Sequence, residues 1–129
     1  MPEYMLLLYG PEAADEAEAA ARWGEMPLWN EVTESLREAG VLIRNAPLHS
    51  VDSATTVRVR DDETELTDGP FAVTKEVLAG YYLLECADLD EALRAAARLP
   101  IARYGSVEVR PVMDVTEIPV FDEAAADRT

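Results

Sequence analysis

The sequence is poor in the residues that most site chemistry uses. Its 129 residues hold one cysteine, Cys86, one histidine, His49, and one lysine, Lys75. A single cysteine excludes an internal disulfide. One histidine and one cysteine, with Asp52 the nearest carboxylate to His49, match no familiar metal-ligand spacing. No metal and no cofactor is therefore expected. Glycine-rich phosphate loops, GxSxG, HExxH and CxxC are all absent, which argues against nucleotide use, serine-type hydrolysis and zinc chemistry. No run approaches the roughly 18 apolar residues of a membrane helix. The opening MPEYMLLLYG carries Glu3 where a signal peptide would be basic, so a reduced, cytoplasmic setting is expected.

Positive charge is also scarce. Eleven basic residues face 26 acidic ones, for a net charge of −15. Nucleic acid and anionic membranes are excluded as partners, since their phosphates would be repelled across most of the surface. What the chain does have is apolar content, 49% of residues, enough at this length for the core of one domain. Residues 1–129 are read as that single domain, with Thr116 to Thr129 as a tail.

Tyr4 to Tyr9 (YMLLLY) is too short for a helix and stops at Gly10-Pro11, so it reads as a buried strand. Glu12 to Arg22 has helix-forming residues but almost no large apolar one, and reads as an exposed helical turn or lead-in. Trp29, Val32, Leu36 and Ala39 recur at helical spacing after Pro27, and Gly40 suits a left-handed cap. Val41 to Ile43 opens a second strand, and Pro47 limits its ladder bonds or places it at an edge. Thr55 to Arg60 alternates, Asp61 to Glu63 forms a turn, and Thr64 to Thr67 returns as a hairpin partner. Ala72 to Ala79 fits a short helix or a bent strand. Gly80 to Cys86 is a central strand. Asp88 to Leu99 is a helix with a capping box and a stripe of Leu89, Ala92/Leu93, Ala96 and Leu99. Ser106 to Met113 alternates as the last strand.

This order gives an α+β fold, a ferredoxin-like βαβ-βαβ with an inserted hairpin, an antiparallel sheet and both helices on one face. The uncovered face predicts a homodimer. Ile118, Val120 and Phe121 are enough to dock the tail across the partner.

Four blocks in order carry a family resemblance: ATTVRVR (Ala54–Arg60), TDGPFAVTKEVLAGYYLLE (Thr67–Glu85), DLDEALRAAARLP (Asp88–Pro100) and YGSVEVRPV (Tyr104–Val112). YMLLLYG and LREAGVL (Leu36–Leu42) add to it. The chain resembles the DGPF-domain branch of the YCII-related proteins. The resemblance implies a dimeric α+β barrel, which agrees with the uncovered sheet face. The wider group includes a dehydrochlorinase acting on a chlorinated aromatic, and similar barrels host lactone isomerases and small monooxygenases. YCII-type members carry a His–Asp pair proposed as catalytic, and here Val32 stands where that histidine would be. DGPF-type domains also occur beside extracytoplasmic-function sigma factors.

Three residues are the site candidates. Asp68, in Asp68-Gly69-Pro70-Phe71, is a candidate base if aimed into a cleft. The structural alternative is a turn in which Asp68 closes an Asx turn, Gly69 supplies positive φ and Phe71 anchors the loop in the core. Lys75 is a candidate anion anchor, or else a solvated ion-pair partner. His49 is a candidate proton carrier, or else an exposed strand-end histidine. Cys86 reads as a small buried hydrophobe, and of Tyr81 and Tyr82 one belongs to the core. Arg58, Arg60 and Arg110 read as cross-strand partners of carboxylates. Two functions follow. One is a small-molecule binding protein or cofactor-free enzyme of proton transfer, isomerisation or elimination on a compact polar substrate. The other is a non-catalytic regulatory module linked to transcription.

Overall fold

A computed structural model describes residues 1–119. Strand β1 (Glu3–Gly10) alternates without a break, with Tyr4, Leu6 and Leu8 buried on one face and Met5, Leu7 and Tyr9 half-buried on the other. Both faces are apolar, which is why the run reads as continuous. Helix α1 (Glu16–Trp23) follows, and Asp15 caps it by accepting the Glu18 N–H at 2.8 Å. Sequence reading left this segment short of a helix. The Asp15…Glu18 spacing is the missed signal, because the Glu18 carboxylate also accepts the Ala14 N–H.

Helix α2 (Met26–Glu38) has Pro27 in its first turn and buries Leu36, with Trp29 and Val32 packed beside it. Gly40, at φ +76°, turns the chain out of the helix. Strand β2 (Leu42–Pro47) is an edge strand, as Pro47 requires. Strands β3 (Thr55–Arg60) and β4 (Glu63–Asp68) form a separate antiparallel hairpin. Its two turn residues, Asp61 and Asp62, both have positive φ (53° and 64°), the geometry of a tight hairpin turn. Val57 pairs with Leu66 and Val59 with Thr64, while Arg58 and Arg60 sit opposite Glu65 and Glu63.

Strand β5 (Val77–Glu85) absorbs the end of the ambiguous segment, and a register shift opposite Leu8/Tyr9 marks its bend. Helix α3 (Leu89–Arg98) is capped by Asp88, which accepts the Glu91 N–H at 2.9 Å. Strand β6 (Ser106–Pro111) closes the sheet. The strand order is β2-β5-β1-β6 and every pairing is antiparallel. That is the ferredoxin-like order, with the β3–β4 hairpin as the insertion.

The core lies between one sheet face and the helices. Leu6, Leu8, Tyr82, Leu84 and Cys86 supply the sheet side, and Leu36, Ala92, Ala95, Ala96, Leu99 and Ile101 supply the cover. The expected α3 stripe needs a correction, because Leu89 and Leu93 are exposed. The rest of the stripe, Ala92, Ala96 and Leu99, is buried as expected, and Ala95 joins it. Alanines allow a close approach, and that rotates the longer leucines outward. Met5, Leu7, Tyr81 and Leu83 line the open face, with Met5 opposite Leu83 and Leu7 opposite Tyr81. The expected docking of Val120 and Phe121 lies outside the described residues.

Candidate functional site

A cavity of about 570 Å³ opens between α1, α2 and the β2 edge of the sheet. Tyr82 of β5 and Trp29 of α2 form its floor. Their rings stack with centroids 6.3 Å apart and planes 18° from parallel. The Tyr82 hydroxyl hydrogen-bonds to the Thr33 hydroxyl at 2.6 Å, so a buried phenol is satisfied without closing the space above it. Helix α1 supplies a wall through Arg22 and Trp23. The Arg22 guanidinium lies 5.5 Å from the Tyr104 ring centroid and donates to Glu18 and to the Pro11 carbonyl, each at 2.6 Å. The Pro11 bond ties α1 to the chain leaving β1. On the far side, the chain leaving β2 brings Asn45, Leu48 and His49 to the rim, and the Leu48 N–H donates to the Ala79 carbonyl at 2.8 Å.

A second cavity of about 350 Å³ adjoins the first. The two share Glu12, Val51, Asp52 and Val77 as wall. The second is completed by the Asp68-Gly69-Pro70 turn and Thr74.

The three sequence candidates therefore separate. His49 lines the large cavity, Asp68 lines the smaller one, and Lys75 is exposed and lines neither. Asp68 ends β4 opposite Thr55. The turn after it is held by backbone: the Gly69 N–H donates to the Ala54 carbonyl at 2.7 Å, and the Thr56 hydroxyl donates to the Gly69 carbonyl at 2.7 Å. Gly69 has φ +97°, the left-handed conformation expected of it. Phe71 corrects the expectation of a core anchor, because it is 81% exposed. Arg58, donating to the Phe71 carbonyl at 3.3 Å, holds the loop by its backbone, and that leaves the ring outside.

Sequence reading missed the aromatic walls. Trp29 at helical spacing reads as core and does pack against it, but with Trp23 and Tyr104 it also lines the cavity. The available signal was that both tryptophans of the chain fall within one short segment, either side of Gly24.

Two shifted acids bear on chemistry. Burial pushes the Cys86 thiol up to about 11, helped by the charges of Glu91 and Asp88, so the thiol is a poor nucleophile. Tyr104 is raised by burial and by the nearby Glu25 carboxylate, with Arg22 opposing, so its hydroxyl stays protonated. Among the described residues, no three His, Cys, Asp or Glu side chains stand close enough to hold a metal ion. No described helix is long and apolar enough to cross a membrane.

Val32 packs against the core. The YCII-related domain matches residues 3–116. An uncharacterised protein of Rhizobium meliloti (strain 1021) is 51% identical over 77 residues, which are 58% of this chain and 62% of that protein. The chain thus spans less than two-thirds of that relative's length. With every strand from β1 to β6 inside the matched region, this protein belongs to the YCII-related family.

Proposed function

We propose that this protein binds a compact, largely apolar small molecule in the cavity over Tyr82 and Trp29. The cavity itself carries the reading: about 570 Å³ of concave space with aromatic walls and polar side chains such as Asn45, His49 and Asp52 to orient a ligand is the anatomy of a small-molecule site. His49, the only histidine of the chain, is among the residues that line it. If the bound molecule is turned over, His49 is its proton carrier, in a cofactor-free isomerisation or elimination. Asp68 serves that chemistry only for a ligand that reaches the adjoining cavity, and Lys75 only for one that extends outside both.

Both tryptophans line the cavity, so they report its occupancy directly. In a thermal-shift screen, a true ligand at about 100 times its Kd stabilises by about 2.7 kcal/mol. The same compound should change tryptophan emission, and Trp29→Ala should abolish the stabilisation. A compound that stabilises with emission unchanged, or a diverse screen with no hit, counts against the cavity.

The proposed assembly is a homodimer. The open sheet face and the exposed hairpin residues Val57, Val59 and Leu66 are apolar surfaces that a second copy would cover. The same exposed hairpin supports the second reading, a regulatory module, should it stay free in the dimer.

A further inference from the structure

We infer that the cavity selects an organic cation: an apolar body against Trp29 and Tyr82, carrying an amine or quaternary ammonium toward Glu12 and Asp52. This rests on the reading of the cavity as a ligand site and names its ligand class.

Four formally charged side chains line the large cavity: Glu12, Asp52, Arg22 and Arg37. They look balanced, but the two arginines are already committed. Arg22 pairs with Glu18 at 2.6 Å, donates to Pro11 and lies over Tyr104. Arg37 pairs with Glu34 one turn back on α2. Among the described residues, Glu12 and Asp52 make no ion pair. The uncompensated charge is therefore negative, and it sits at the wall the two cavities share.

Beyond that wall the sign does not change. The smaller cavity is lined by Glu12, Asp52 and Asp68, with no lysine, arginine or histidine. A further carboxylate lies behind the aromatic wall. One oxygen of Glu25 is buried without a hydrogen-bond partner, and its charge acts on Tyr104. The field of the whole protein, at −15, adds to the same preference. An anionic ligand would meet all of these groups, with both lining arginines already paired and His49 the one other basic side chain in the wall.

Geometry then chooses the kind of cation. The acids are too dispersed to ligate a metal ion. Dispersed carboxylates beside stacked aromatic rings suit a diffuse, weakly hydrated charge, which ring faces also attract. The apolar body takes the place of solvent over Trp29 and Tyr82, and the cationic end stays near water at the junction, where desolvation is small.

Three probes of near-equal shape test this by tryptophan emission: phenethylamine, phenethyl alcohol and hydrocinnamate. Phenethylamine should bind about tenfold more tightly than the alcohol, and hydrocinnamate should bind least. The advantage should shrink with added salt and in the double variant Glu12→Gln, Asp52→Asn. Both residues are exposed, and an unchanged melting temperature checks that the variant is folded. Equal or tighter binding of the alcohol or of hydrocinnamate overturns the cation preference while leaving the cavity as a ligand site. An amine preference that survives in the double variant overturns the role of Glu12 and Asp52. Failure of all three probes, with no hit in the broader screen, overturns the ligand site itself.

Discussion

Gly69 and Asp68 are neighbours in one turn, yet different physics governs them. Gly69 sits at φ +97° with open space around a would-be Cβ. Replacing it by alanine costs backbone strain alone, about 1 kcal/mol by urea or thermal melting. The Asp68 carboxylate ends an exposed strand, and the turn is held by backbone and Thr56. Asp68→Asn should leave melting unchanged, so any loss of turnover on a bound ligand would identify Asp68 as a base. A stability loss in Asp68→Asn equal to that of Gly69→Ala would make it a turn residue only. Cys86 gives a pH signature. Its thiol is held at about 11 against an ordinary 9.0, so folding favours the neutral form. The contribution is present below pH 9.0. It is lost as pH rises from 9.0 to about 11, because the unfolded chain sheds its proton first. Cys86→Ala should flatten that alkaline decline in a urea series, and an unchanged slope would show that other groups cause it.

Among elements, α1 matters out of proportion to its burial. It buries no residue, yet it forms a cavity wall. A helix of eight residues is not stable on its own, so its cap and its bonds to Pro11 and Tyr104 hold it. Asp15→Ala should cost about 1 kcal/mol or less in global stability. It should weaken ligand binding more than global unfolding, as read by titration against tryptophan emission. Equal effects on both, or none on binding, would mean that the wall does not depend on the cap. Helix α1 marks the limit of what the sequence makes legible. Elements with a buried alternating or helical pattern, such as β1, α2 and β5, declared themselves through periodicity. Helix α1 has no core stripe to read, and its order comes from contacts distant in the chain. The candidate site was less legible for the same reason. Trp29 at helical spacing looks like core, and only the neighbouring α1 and β2 edge turn its ring into a cavity floor. His49 was reached because it is unique. The aromatic walls were not, because nothing local separates a cavity wall from a core.

For the whole molecule, two apolar surfaces need a cover. Val57, Val59 and Leu66 lie on one hairpin face at 60%, 57% and 69% exposure, and neither hairpin strand packs broadly against another element among the described residues. A two-stranded hairpin is marginal alone in water. The homodimer proposal gives it a partner, and the open face of Met5, Leu7, Tyr81 and Leu83 is the other half of the interface. Sedimentation should give twice 14.2 kDa at micromolar concentration. Leu83→Asp should dissociate that species at a cost of several kcal/mol, through a buried unpaired charge. A stable monomer in the wild type would sink the assembly, while a dimer indifferent to Leu83→Asp would move the interface to the hairpin.

The strand order carries a consequence for synthesis. Strand β1 lies inside the sheet, and its neighbours are β5 and β6, so it emerges from the ribosome well before either. At about 5–20 residues per second, YMLLLY waits several seconds or more with both edges unpaired and both faces apolar. A strand in that state invites pairing with another nascent chain. What separates the chains in the interval is the acid-rich stretch that follows from Glu12 to Glu18, with Glu3 on the other side. Carboxylates in these positions flank the apolar strand as gatekeeper residues do. Neutralising them should cost more in soluble yield than in the melting temperature of the finished protein.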